Sequence, residues 1–336
     1  MERVERVERT ELRALVEGGV LLTSRALGAG WSRVPLFRRL DSEGWTRVRS
    51  GAWAEPGRRI DLAVRLKAAQ LLRPRLVVSH RSAAWLLQIE TLDVRREDRK
   101  PPALEFTDPG LRIRQSLTDV RVHRMPLAEV DIVQCEGLRV TDVPRTVADL
   151  LRAGPREGAL VAVESALGYR TVAGVRRPPL TTPAALAIAL KPPFHGAARA
   201  RDWLSLADRR SGSPAETVAR LRMLDAGLRP ESQVELRVPG GGRRFLDFLF
   251  RREGVAVEIE GYAYHGTREA HRRDVSRFNQ VLRCPEVRTL LRYTAEVVFH
   301  HPAQMIQEIR SALSAAATGE ALGRSVEGVG HPGVFK

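Results

Sequence analysis

Cysteine is nearly missing from this chain: Cys135 and Cys284 stand far apart in 336 residues. Two isolated thiols make neither a disulfide framework nor a cysteine-based zinc centre, and they suit a reducing cytoplasm. No apolar run approaches the ~20 residues that a bilayer crossing needs, and no secretory core follows the charged start MERVERVERT. A cytoplasmic protein with no membrane partner is the expectation. Aromatic residues make up 5% of a chain that is 43% hydrophobic, so its cores must be aliphatic. Lysine is scarce as well, confined to Lys67, Lys100, Lys191 and Lys336. Arginine takes its place: 55 basic residues face 40 acids, for a net charge of +15. That excess favours an anionic partner, most simply nucleic acid, although an arginine- and alanine-rich composition also follows from a GC-rich genome. The placement of the arginines must decide.

At this length two or three domains are expected. The first spans residues 1–56. ERTELRALVEGG reads as a short amphipathic helix with Leu12, Leu15 and Val16 inward, and LLTSRALGAG as a second helix with Thr23 as its cap. SRVPLFRRLDSEG reads as a third, capped by Ser32, with Val34, Phe37 and Leu40 inward and Arg33, Arg38 and Arg39 outside. WTRVRSGAWAEP alternates about Ser50-Gly51 as a hairpin. Three short helices and a basic hairpin form the layout of a winged helix-turn-helix. Its third helix would enter the major groove, and Arg47 and Arg49 would reach phosphates. A helical module whose arginines serve only solubility is the bland alternative.

Residues 57–207 read as an α/β middle region with a connector. LKAAQLLRPRLVVSHRSAAWLLQIE supplies helix, short strand and a helix from near Ser79. Strand-like VRVHRMPL, the strand and helix of LRVTDVPRTVADLLR, and helical GALVAVESALGY follow. His80, His123 and Arg145 stand out, but no metal-ligand spacing joins the histidines, so structural roles are expected of them. The Pro- and Ala-rich stretch from Arg170 to Ala200 reads as a connector with one helix. Residues 317–336 are glycine-rich and read as a flexible tail.

The sharpest chemical signal lies in residues 208–316. RRFLDFLFRREGVAVEIEG reads as two apolar strands, 244–250 and 255–260, that nonetheless carry Asp247, Glu258 and Glu260. With RREG as the loop, Phe250 pairs with Val255 and Asp247 falls opposite Glu258. Side-chain alternation then puts all three acids on one face. Opposed carboxylates repel and need a positive group between them, or a proton on one of them. A hydrated Mg²⁺ or Mn²⁺ suits such hard oxygen ligands. An edge hairpin whose acids salt-bridge to arginines is the alternative. Glu216, in SPAETVARLRMLDAGL, is explained equally by a capping box with Ser213. His265 follows the hairpin, and Asp274 and Arg277 share a face of the next helix, where an i,i+3 ion pair is the modest explanation.

Two resemblances add to this reading. The stretch LLTSRALGAGWSRVPLFRRLDSEGWTRVRSGAWA resembles the N-terminal domain of AbiEi-type antitoxins, with Trp53 where that family has tyrosine, and SHRSAA and TDVPRTVADL continue the likeness. SPAETVARLRMLDAGL, FLDFLF, VAVEIEGYAYH, RRDVSRFNQVLR and LLRYTAEVV, in that order, are similar to Vsr-like endonuclease domains of the PD-(D/E)XK superfamily. The second resemblance implies a restriction-endonuclease-like α/β/α core in a multidomain α+β protein. Glu216 then matches the helix-one glutamate, Asp247 the central aspartate and Glu258 the acid of the signature. Glu260 stands in the lysine position, His265 is the following histidine, and Asp274 and Arg277 match the supporting pair. The superfamily's lysine is absent, and CPEV around Cys284 replaces its usual Gly-Trp.

These features imply a DNA-binding protein that hydrolyses phosphodiesters with Mg²⁺ or Mn²⁺ held by Asp247, Glu258 and Glu260. The competing expectation is a non-enzymatic antitoxin or autorepressor on a toxin-gene operator, its nuclease-like domain inactive.

Overall fold

The computed structural model describes residues 10–92, 102–110, 119–172, 174–238, 241–260 and 278–319. The protein is a multidomain α+β chain that divides into two compact units. One holds residues 1–167, 172–175 and 179–206, and the other holds residues 168–171, 176–178 and 207–336. No helix among the described residues is long and apolar enough to cross a membrane.

At the start of the first unit, the expected first helix is one 3₁₀ turn, Leu12–Leu15. Gly18 and Gly19 then adopt positive φ and hand the chain to strand β1, Val20–Leu22. Helix α1 follows at Thr23–Gly28. Thr23 is its first residue rather than its cap, and the Thr23 hydroxyl accepts a bond from Trp53 Nε1 at 3.1 Å. Helix α2 is Arg33–Ser42, and strands β2 (Thr46–Arg49) and β3 (Ala52–Ala54) form the hairpin about Ser50-Gly51. The antiparallel sheet order is β1-β3-β2.

The inward face of α2 keeps Leu40 as expected and otherwise differs. Leu36 and Leu40, one turn apart, are buried with Leu12, Leu21, Ala26 and Trp45, whereas Val34 and Phe37 are turned out. The helix has an apolar row on either side, and contact with Leu21 of β1 selects the second. The opposite side of β1 and β3 buries Val20, Leu22, Ala52 and Ala54 against Val64 and Ala68 of α3, Leu62–Leu72.

The same unit carries a five-stranded mixed sheet in the order β6-β5-β4-β8-β7. Its strands are β4 (Val77–Val78), β5 (Leu104–Thr107), β6 (Val120–His123), β7 (Ile132–Cys135) and β8 (Leu138–Thr141). Helices α4 (His80–Leu86) and α3 pack on it through Ala83, Leu86, Leu66 and Ala69. Helices α5 (Val143–Ala153), capped by the Asp142 carboxylate on Arg145 N–H, and α6 (Arg156–Leu167) complete the layer. The connector holds more than one helix. After the ribbon of β9 (Arg170–Val172) and β10 (Val175–Arg177) come α7 (Pro183–Ala189) and α8 (Ala197–Leu204).

The second unit starts with α9, Pro214–Asp225, capped by Ser213. Strand β11, Glu231–Arg237, was not anticipated. It joins β12 (Arg243–Phe250), β13 (Val255–Glu260) and β14 (Thr289–Thr294) in the order β11-β12-β13-β14, with only the β13–β14 pair parallel. Helices α10 (Ala295–His300) and α11 (Pro302–Thr318) close the unit. The core takes Val281 and Cys284, and Leu282 is exposed. The last helix runs through Thr318, and the expected tail beyond Gly319 lies outside the described residues.

Candidate functional site

Strands β12 and β13 pair as their pattern requires: Phe250 faces Val255, Leu249 faces Ala256 and Phe248 faces Val257. One step further along that register sets Asp247 opposite Glu258. There the backbone ladder gives way to a side chain, and Ile259 N–H donates to Asp247 Oδ2 at 2.8 Å. On its other flank, β12 pairs with β11 in a register that sets Gln233 opposite Asp247.

Gln233 assembles the site. Its Nε2 donates to Asp247 Oδ1 and to Glu216 Oε2, both at 2.9 Å. Its backbone is left-handed, with φ of +50° in the middle of a strand, a conformation that costs a non-glycine residue about 1–2 kcal/mol. Glu216 arrives from the first turn of α9, where Ser213 Oγ accepts its N–H at 3.2 Å. The Glu216 carboxylate does not close the expected capping box on Ser213. It takes the N–H of Gly212, at 2.7 Å, and turns its Oε2 to Gln233 as well.

Burial, reinforced by the charge on Asp247, pushes the Glu216 carboxyl up to about 7, against the bonds from Gly212, Ser213 and Gln233. The two acids therefore meet in a buried setting where each raises the cost of ionising the other. The side chains that could ligate an ion here offer carboxylate oxygens, with the Gln233 amide nitrogen where Glu216 and Asp247 converge. A hard divalent cation fits that chemistry. Among the described residues, no group of three or more His, Cys, Asp or Glu side chains is gathered closely enough to hold a metal ion.

The expected acids thus divide. Glu216 and Asp247 are brought together, and Glu258 is buried beside them in sequence register. Glu260 is taken by the guanidinium of Arg292 on β14, which also stacks on the Phe278 ring. This expected metal ligand is thus ion-paired in the structure. His265, Asp274 and Arg277 lie outside the described residues. Gln233 was missed because ESQVELR was not read as a strand, although Val234 and Leu236 alternate through it. No sequence pattern marks an amide as the bridge.

The basic residues of the first unit also divide. Arg33 and Arg38 are exposed on α2 and Arg47 on β2, without ion pairs to the described residues. Arg39 is paired with Glu43 one turn on. Arg49 is half-buried and held by Asp119, so it is not a free phosphate contact.

The two histidines singled out in the middle region lie face to face, ring centroids 3.5 Å apart and planes within 13°. His80 bonds Ser79 Oγ through Nδ1 at 3.0 Å, and burial pushes it down to about 4. His123 Nε2 lies 3.6 Å from Glu105 Oε1. Arg145 is spread over Asp149, Asp131 and the Pro126 carbonyl, a buried brace of α5.

No family model matches the chain. It is 30% identical over 177 residues to two uncharacterized proteins of Mycobacterium tuberculosis, MT2308 of strain CDC 1551 / Oshkosh and Rv2248 of strain ATCC 25618 / H37Rv. The match covers 52% of this chain and 62% of each relative.

Proposed function

We propose that this protein binds DNA through a winged helix made of α1, α2 and the β2–β3 hairpin, and hydrolyses DNA phosphodiesters at the Glu216–Asp247 site in a restriction-endonuclease-like core. One observation carries the catalytic half: two carboxylates from different elements, α9 and β12, converge on a single donor, and one of them is held near a neutral-pH titration. Structural carboxylates are ordinarily neutralised, as Glu260 is by Arg292. Functional sites are where such mutual repulsion is kept.

Asp247 and Glu258 would hold Mg²⁺ or Mn²⁺, with Glu216 completing the oxygen set. A divalent ion bound there supplies an activated water and polarises the phosphoryl oxygen. Gln233 keeps the two carboxylates converged, and the Ile259 N–H fixes the second oxygen of Asp247. Without the ion, Glu216 is able to hold a proton near neutral pH, which binding of the ion would displace. Cleavage of supercoiled plasmid with Mg²⁺ or Mn²⁺, beside the Asp247→Ala protein, tests the reading. Equal nicking by both proteins would place the activity elsewhere.

A second reading draws on the Glu260–Arg292 pair, which engages one of the three expected ligands. In this reading the protein is a non-enzymatic antitoxin or autorepressor bound to a toxin-gene operator. Binding then needs no divalent ion, Asp247→Ala is silent, and loss of Arg38 abolishes function.

A further inference from the structure

The outer face of α2 combines two features that a helix resting on phosphates has no use for. Val34 and Phe37 are 62% and 42% exposed, one turn apart, between the exposed guanidinium groups of Arg33 and Arg38. Single exposed apolar side chains are ordinary, but an apolar pair framed by arginines on one helix face is a surface with two chemistries. Phe37 is also held in place. Its ring packs against Trp53 of β3, centroids 5.9 Å apart, and Trp53 is itself bonded to Thr23.

The remaining charges limit how the face can be used. Arg39 is turned to Glu43, and Glu43 also accepts from Trp45 Nε1 at 2.9 Å, so neither belongs to the free face. Asp41 is exposed one turn beyond Phe37 and would oppose phosphate there. The accessible part is therefore the N-terminal half of α2, with positive charge around an apolar centre. In the major groove of B-DNA one base offers an apolar group, the C5-methyl of thymine, while guanine N7 and O6 accept from arginine. The N-terminal residues of a recognition helix are the ones that reach base edges.

We infer that Val34 and Phe37 close on thymine methyl groups in the major groove, with Arg33 and Arg38 bonding adjacent guanine edges or phosphates, so that α2 selects thymine-containing sites by shape. This rests on the DNA-binding reading above and gives it a substrate preference. It is independent of the cleavage site.

The test uses the full-length protein in EDTA, which silences any metal-dependent cleavage. Duplexes are selected from a random pool, and binding of the best one is compared with the same duplex carrying uracil for thymine, which removes only the methyl groups. Wild type should bind the uracil duplex more weakly by about fourfold per contacted thymine. Val34→Ala/Phe37→Ala should bind the two duplexes alike; because it also gives up the Phe37–Trp53 packing, Val34→Ala alone, at the more exposed position, should show a reduced preference at an unchanged melting temperature. Specific binding that ignores uracil overturns the inference. Tight but sequence-independent binding overturns it too and leaves the DNA-binding reading standing. Failure to bind any duplex at low salt removes both. Unaltered DNA selectivity in the double variant, accompanied by loss of self-association, would assign the face to a second copy of the chain instead.

Discussion

Glu216 and Asp247 share one hydrogen-bond donor: each accepts from Gln233 Nε2 at 2.9 Å, Glu216 through Oε2 and Asp247 through Oδ1. An amide nitrogen has two hydrogens, so this geometry uses its full donor capacity and leaves no third carboxylate a place on it. The bridge holds the pair together, and with Glu216 raised by burial its behaviour depends on pH.

Glu216 titrates near 7 in the folded chain against an ordinary 4.5. Between those values the folded state holds a proton that the unfolded state has released, so stability contributed here falls as pH rises through that window. Glu216→Gln, which keeps a carbonyl for Gly212 N–H, should raise stability at pH 8 by on the order of 3 kcal/mol, with the gain fading towards pH 4.5. Thermal melts across pH, in EDTA, check this. A gain that does not vary with pH would mean that the buried charge is not the cause.

Asp247 accepts from Ile259 N–H and from Gln233, so its loss exposes two effects that can be separated. Asp247→Ala should cost about 1–3 kcal/mol through the orphaned buried donors. Asp247→Asn retains an acceptor for Ile259 and should melt close to wild type. Both should lose Mn²⁺ binding, read by electron paramagnetic resonance.

His80 shows the opposite pH dependence. Burial lowers it from 6.5 to about 4, so below pH 6.5 the unfolded chain gains a proton that the folded chain refuses, and stability declines as pH falls. The full effect by pH 4 is on the order of 3 kcal/mol. His80 has φ of +50°, a conformation that asparagine tolerates. His80→Asn should flatten the decline between pH 6.5 and 4 in a denaturant titration, and an unaltered slope would assign it to other groups.

Asp149 is wholly buried between Arg145 and Arg152. Removing it takes the shared carboxylate from Arg145, which keeps Asp131 and the Pro126 carbonyl, and from Arg152, which keeps the Ala189 carbonyl, and Asp149→Ala should cost roughly 3–5 kcal/mol. Circular dichroism should show loss of the first unit at a lower denaturant concentration.

Arg47 and Arg49 lie on one strand, yet only Arg49 is held by Asp119. Under the DNA-binding reading, Arg47→Ala should weaken binding on every sequence and lower the salt slope by about one. Arg49→Ala should alter binding less while lowering stability. Equal effects on the salt slope would mean that Arg49 leaves Asp119 on binding.

Local patterns carried much of the architecture. The hairpin about RREG, its register and the helices from α3 to α6 follow from periods of two and 3.6 with turn and cap residues at their ends. The α2 helix and the burial of Leu40 were legible, but the rest of its inward face was not, because Leu36 and Phe37 both lie about one turn before Leu40 and are equivalent until Leu21 is set beside one of them. The 3₁₀ turn at Leu12 replaced a helix because the chain there is drawn into β1 pairing with β3.

Residue identity alone placed three acids in strands, a basic surface on α2 and the hairpin, and a scarcity of thiols. Those are properties of composition and short-range spacing. The third dimension decided which charges are spent and which are kept: Arg292 neutralises Glu260, Asp119 holds Arg49, and Gln233 gathers Glu216 to Asp247. Each of these depends on segments distant in the chain meeting across strand pairs or from helix to strand, and Coulomb energies depend on distance in space, not on separation along the sequence.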